Sequence, residues 1–211
     1  MARGDRERQI VAVAHRAFAT HGYGAVTMET IAREAGVTKP LIYAYFGNKE
    51  RLYQACMIPA AEALTASLEQ AIASADGAQE VLSRGVRAFF AYVDEDRDAW
   101  RVLFDETVPA GGVIARRVAE HRDRIRRLFQ DAIEQNMTAE QRRNPLASEV
   151  GEALAVAVMA GTEALAHWWL STGKLSAEHA AELLIATLRP GIDRISDQRP
   201  VTNEKRKRND R

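Results

Sequence analysis

The 211-residue sequence predicts an all-α fold of about nine helices, and three observations carry that reading. Apolar residues recur at helical spacing almost throughout, with no convincing strand alternation and no internal repeat. Gly, Pro, Asn and Asp punctuate the chain at helix-length intervals. Apolar residues make up 46% of the chain, enough at this length to bury a core.

The first helix spans about residues 5–20, with Ile10, Ala14, Ala17 and Phe18 on one face and His21-Gly22 closing it. Residues 27–49, TMETIAREAGVTKPLIYAYFGNK, then hold two short helical patterns separated by Ala35-Gly36-Val37. Thr27 can cap the first, with Glu29 near the positive end of the helix dipole. Ile31, Ala32 and Ala35 form its apolar face, and Gly36 suits the left-handed residue that ends many helices. Thr38 can cap the second, where Pro40 falls in the first turn and its missing N–H costs little. Leu41, Ile42 and Phe46 cannot all remain in water, so part of this helix packs inward, leaving positions 38, 39, 43 and 45 near the other face. This is the layout of a helix-turn-helix, in which one helix braces and the next enters the DNA major groove.

Asn48 caps a long helix running toward Ser74, where Lys49 and the first free N–H groups can meet a phosphate. Pro59 interrupts its interior, which predicts a kink near 56–59, and Asp76-Gly77 ends it. Val81, Leu82, Gly85, Val86, Phe89, Phe90 and Val93 have the spacing of a deeply buried helix. A charged break at 94–98 leads to a short helix bearing Trp100, Leu103 and Phe104, and 109–112 is a loop. Another helix is striped by Ile114, Val118, His121, Ile125, Leu128, Phe129 and Ile133. Asn144-Pro145 opens a helix over about 146–170 that ends in His167-Trp168-Trp169. Ser176 can cap a last helix, which Pro190-Gly191 stops. Residues 198–211 have almost no apolar side chains and are expected to be disordered.

Charge is distributed unevenly although the net charge is zero. Residues 1–53 hold 8 Lys/Arg against 5 Asp/Glu, 54–197 hold 15 against 22, and the tail from 198 holds 6 against 2. Positive charge thus sits at the termini, which suits an N-terminal part that touches nucleic acid. Arg3, Arg6 and Arg8 form either a minor-groove arm or a solvated terminus, and the basic tail either a contact or a solubilising end. There is no run of 18 apolar residues and the start is too polar for a signal peptide, so a soluble cytoplasmic protein with no membrane partner is expected. The single cysteine, Cys56, excludes an internal disulfide framework and is either a buried filler or a lone redox thiol.

Residues 10–53 resemble the N-terminal domain of the tetracycline-repressor (TetR) family of bacterial transcription regulators. The resemblance lies in Phe18, His21-Gly22-Tyr23, Thr27-Met28, Ile31-Ala32, Ala35-Gly36-Val37, Tyr43, Tyr45-Phe46, Lys49 and Leu52. It implies an all-α homodimer that binds a palindromic double-stranded DNA operator, usually as a repressor, and is released by a small molecule in the C-terminal domain. By position it implies that Thr27 touches phosphate and that Thr38, Lys39, Pro40 and Tyr43 lie in or beside the major groove. Tyr45 would reach the DNA backbone and Lys49 a phosphate. Position 40 is often glycine or another small residue in the family and position 41 often threonine; here they are Pro40 and Leu41. Leu41 either meets a thymine methyl or packs inside.

The domain reading is therefore a DNA-binding domain over 1–50, a ligand-binding and dimerisation domain over 51–197, and a basic tail over 198–211. For the effector, the residues to inspect are Phe89, Phe90, Trp100, Phe104, Phe129 and Met159, each of which is otherwise core. His121 lies on an apolar stripe, as a ligand contact or as a core or interface histidine. Trp168, Trp169, Leu183, Leu184 and Leu188 are the expected dimer seam, since two apolar helices can form half of a four-helix bundle. No catalytic residue, metal site or cofactor is expected: there is no HExxH, GxSxG or P-loop, and the five histidines are scattered. The rival reading is a helical small-molecule-binding dimer or scaffold whose DNA binding is secondary; a helical enzyme without a recognisable motif is a weaker third.

Overall fold

The structure is a computed structural model that describes residues 3–197, without the side chains of 78 and 192–197. Among the described residues there are nine α-helices, one short 3-10 turn and no strand. The helices are α1 (Arg3–Ala25), α2 (Met28–Glu34), α3 (Lys39–Phe46), α4 (Lys49–Ile72), α5 (Ala78–Glu95), α6 (Arg97–Leu103), α7 (Val113–Gln135), α8 (Ala147–Thr172) and α9 (Ala177–Asp197). The basic tail from 198 lies outside the described residues.

The predicted helix ends are where local chemistry puts them. α1 is broken at Gly22, whose φ of 76° and ψ of 160° belong to a region that residues with a Cβ avoid. Thr27 caps α2, its hydroxyl accepting the Thr30 N–H at 3.1 Å. Asn48 caps α4 through the Arg51 N–H at 2.8 Å, Asp96 caps α6 through Ala99, and Ser176 caps α9 through His179.

Two expectations need correction. Thr38 stands at the N-cap position of α3, but its hydroxyl makes no capping bond. The second helical residue is Pro40, which has no N–H to give, and the Leu41 N–H goes to the Thr38 carbonyl instead. Pro190 does not stop α9, which continues to Asp197. A proline removes one helical donor, and here the helix resumes beyond that loss.

The described residues form two compact units: 3–68 with 91–125, and 69–90 with 126–197. In the first unit Ile10, Phe18, Ile31, Ile42, Leu52 and Met57 are fully or almost fully buried, and Val102 and Ile114 join the same cluster. Here α6 lies along α1. Tyr53 reaches from α4 to give its hydroxyl proton to the Val102 carbonyl at 2.5 Å, occupying a carbonyl in the last turn of α6. In the second unit α8 packs on α9, with Ala155, Ala166, Trp169, Ala180 and Ile185 buried. Phe129 fills a gap left by Gly85, where a Cβ would stand 2.4 Å from the ring.

Candidate nucleic-acid interface

The α2–turn–α3 segment is built by burying one side of each short helix. Met28, Ile31 and Ala32 are buried on α2, and Ile42 and Phe46 on α3. Between them Gly36 takes a φ of 63°, which lets the Val37 N–H return to the Ala32 carbonyl at 2.9 Å. Gln9 of α1 donates to the Ala35 carbonyl at 3.3 Å, tying the end of α2 to the first helix. The turn is therefore fixed from both sides.

That burial leaves a contiguous outward row on α3. Thr38, Lys39 and Pro40 are exposed, Leu41 is 37% and Tyr43 38% exposed, and Tyr45 is half-buried. Leu41 thus stays at the surface, while its neighbour Ile42 supplies the core contact. The Tyr45 hydroxyl donates to the Arg3 carbonyl at 3.4 Å, and the Arg3 guanidinium lies 5.5 Å from the Tyr45 ring centre. The first turn of α1 is thereby held beside α3.

Both lysines singled out in the sequence are engaged within the chain. Lys39 pairs with Glu29 of α2 and lies 5.8 Å from the Tyr43 ring centre. The hydrogen bond between them holds the Glu29 carboxyl below its ordinary range and raises the Lys39 ammonium. The Lys49 ammonium rests 4.3 Å over the Tyr23 ring. Partial burial pulls its pKa down, against an opposing pull from Asp105. Thr27, capping α2, keeps its hydroxyl at the surface, 3.0 Å from that of Thr30.

Sequence reasoning did not single out Tyr23 as a seat for Lys49, nor Asp105 and Thr107 as its supports. Asp105 accepts the Tyr23 N–H, and Thr107 the Gly24 N–H, across separations of 82 and 83 positions that no local pattern reveals.

Of the effector set, Trp100, Phe104 and His121 belong to the first unit and Phe89, Phe90, Phe129 and Met159 to the second. Trp100 stacks on Phe104 at 3.7 Å, and Phe90 meets Phe89 and Trp169 edge-on, each at 5.7 Å. Phe89, Phe90, Trp100 and Phe129 are all buried, while Phe104, His121 and Met159 are half-buried. A surface concavity of about 550 Å³ in the second unit involves Asp131, Glu134, Arg142 and Ser148, and none of the predicted effector residues lines it. In the seam set, Trp168 is 43% and Leu183 52% exposed. Trp169 and Leu184 instead face into the unit; the Trp169 Nε1–H donates to the Leu175 carbonyl at 2.8 Å.

Residues 10–56 match the model of the bacterial regulatory proteins of the tetR family, and residues 78–189 that of the tetracyclin repressor-like C-terminal domain. The chain belongs to the TetR family. The HTH-type transcriptional activator FasR of Mycolicibacterium smegmatis is 32% identical over 103 residues, which are 49% of this chain and 47% of FasR. The chain therefore spans about half the length of that relative. A TetR-like transcriptional regulator from Rhodococcus sp. RHA1 aligns with a TM-score of 0.74 and 25% identity, over 92% of this chain and 98% of that one. FadR from Bacillus subtilis, solved in complex with stearoyl-CoA, aligns with a TM-score of 0.72 and 17% identity, over 86% and 96%. The last of these speaks to the TetR fold alone.

Proposed function

We propose that this TetR-family chain is a transcriptional regulator that binds a palindromic double-stranded DNA operator as a homodimer through α2 and α3. The observation that carries the reading is the split of α3, with Ile42 and Phe46 buried and Thr38, Lys39, Pro40, Leu41 and Tyr43 outward. Lys39 and Tyr43 lie beside base edges, Leu41 offers an apolar contact to a thymine methyl, and Thr27, Tyr45 and Lys49 meet phosphates. Regulation is read as repression, lifted when a small, largely apolar effector enters the C-terminal helices. FadR, a protein of this fold with a small molecule bound, supports the effector half of that reading.

The dimer half is supported by what α8 leaves uncovered. Among the described residues α8 is the one helix long and apolar enough to cross a membrane by length and composition, and less than a third of its most apolar stretch is buried. Its Ala153, Val156, Ala157, Ala160, Ala164 and Trp168 form one exposed face at helical spacing. Leu183 and Ala186 are exposed on the adjoining α9. A second copy would cover this face by two-fold pairing of α8 and α9. Such a dimer sets its reading helices about 34–36 Å apart, or a multiple of it, to match successive major grooves.

The test is binding of the protein to labelled duplex from the DNA flanking its own gene, measured across a salt series. Lys49→Ala should weaken binding to all sequences alike and make the salt slope shallower by about one unit. Lys39→Ala should alter sequence preference. Absence of binding even at low salt would remove the DNA-binding reading.

A further inference from the structure

The turn that follows the break in α1 is held from far along the chain. With Gly22 out of helical conformation, the N–H groups after it lose regular partners. The loop between α6 and α7 supplies them. Asp105 Oδ2 accepts the Tyr23 N–H at 2.5 Å, and Thr107 Oγ1 accepts the Gly24 N–H at 2.9 Å. Thr107 gives its own hydroxyl proton to Asp105 Oδ1 at 2.6 Å, and its backbone N–H reaches the same oxygen at 2.8 Å. The proton bookkeeping closes: the hydroxyl donates once, to the carboxylate, and accepts once, from the backbone. Gly22 permits the approach, since a Cβ there would lie 2.9 Å from Thr107 Oγ1.

What this clasp fixes is Tyr23. Its ring meets Tyr53 edge-on at 5.0 Å on one side and receives the Lys49 ammonium at 4.3 Å. The Val113 N–H at the start of α7 also reaches Glu50, next to Lys49, at 3.2 Å. Gly24 and Thr107 are exposed and Asp105 is half-exposed, so the clasp lies at the surface over a core that Phe18 and Tyr53 fill without it. Its placement is that of a device for orientation rather than for burial.

We infer that Asp105 and Thr107 are positioning residues for DNA binding: they set the Gly22–Gly24 turn, the turn sets the Tyr23 ring, and the ring seats Lys49 toward an operator phosphate. This inference rests on the DNA-binding reading of α2 and α3. It adds to that reading a requirement located outside the helix-turn-helix, in the loop before α7.

Thr107 carries the test because its replacement leaves the net charge unchanged, so a changed salt slope comes through Lys49. The probe is the labelled duplex flanking the chain's own gene, titrated with the full chain over a salt series. Thr107→Val should bind about five- to tenfold more weakly with a slope shallower by about one unit. Thr107→Ser, which keeps the hydroxyl, should restore both. Thr107→Val combined with Lys49→Ala should be no weaker than Lys49→Ala alone. A merely structural role lowers the fraction of active protein and leaves the slope intact, and Ser rescue with an unchanged slope would overturn the inference. So would unchanged affinity in Thr107→Val, or losses that simply add. Failure of the unaltered chain to bind would remove the DNA-binding reading itself, and this inference with it.

Discussion

Lys39, at the start of α3, is ion-paired with Glu29, in the first turn of α2. The pair sits at the edge of the row proposed to read DNA, and both side chains are more than half exposed. On that proposal an operator phosphate or base would compete with Glu29 for the ammonium. Glu29→Gln should raise DNA affinity several-fold by removing both the competitor and a repulsive charge. Fluorescence anisotropy at fixed salt measures this, and weaker binding by the variant would show that the pair orients Lys39 instead. Because the carboxyl is held low, the pairing is complete above the ordinary Glu range and fades as pH falls through the lowered value.

The exposed faces of α8 and α9 make a second expectation concrete. Trp168→Glu combined with Leu183→Glu places charges where a second copy would bury apolar surface. Sedimentation velocity should find the unaltered chain dimeric and the variant monomeric, with helical circular dichroism unchanged. Operator affinity should then fall at least about tenfold, because each half-site would be held alone. A variant that stays dimeric would place the seam elsewhere.

Phe129 seated on Gly85 predicts a packing penalty. Gly85→Ala puts a methyl 2.4 Å from a ring that is itself 5% exposed and has little room to yield. Overpacking of this kind costs about 1–3 kcal/mol, more than the roughly 0.5–1 kcal/mol that replacing a helical glycine returns. Urea unfolding should show that loss, and Phe129→Leu in the same chain should recover part of it. Full additivity of the two substitutions would mean that the ring and the added methyl do not meet.

Burial governs Cys56 and Tyr92 in the same direction. Cys56 is 3% exposed, and its thiol is pushed up to about 12 from an ordinary 9.0. Tyr92, whose hydroxyl donates to the Ala60 carbonyl at 2.7 Å, is also pushed up to about 12. A raised folded value stabilises the protonated form, so this stability is complete below about pH 9 and lost as pH rises toward 12. A disulfide-exchange reagent at pH 8 should label Cys56 slowly in native protein and rapidly in urea. Rapid native labelling would contradict a buried thiol, and Cys56→Ala should make the alkaline loss of stability less steep.

The helices were legible because their signals are local. Thr27, Gly36, Asn48, Asp96 and Ser176 act within a few residues of themselves, as the periodic apolar faces do. The family pattern across 10–53 was legible for the same reason. What escaped depends on neighbours that spacing does not name. Thr38 looked like a cap until Pro40 removed the donor it would have met. Trp168 and Trp169 read alike in sequence, yet adjacent residues on a helix point about 100° apart, and one faces out while the other is buried. Glu29 meets Lys39, and Asp105 meets Tyr23, only after the chain has folded.

The three tryptophans occupy three different surroundings, and that makes the chain its own spectroscopic instrument. Trp100 is 1% exposed in the first unit, Trp169 2% exposed in the second, and Trp168 43% exposed on the face proposed to meet a second copy. Variants that retain one tryptophan each would report separately, without any attached dye, on the unit that carries the reading helix, on the other unit's core, and on pairing. Emission from Trp168 should shift to the blue as protein concentration rises while the other two hold still. A single fluorimeter could then follow assembly and unfolding of either unit as distinct events.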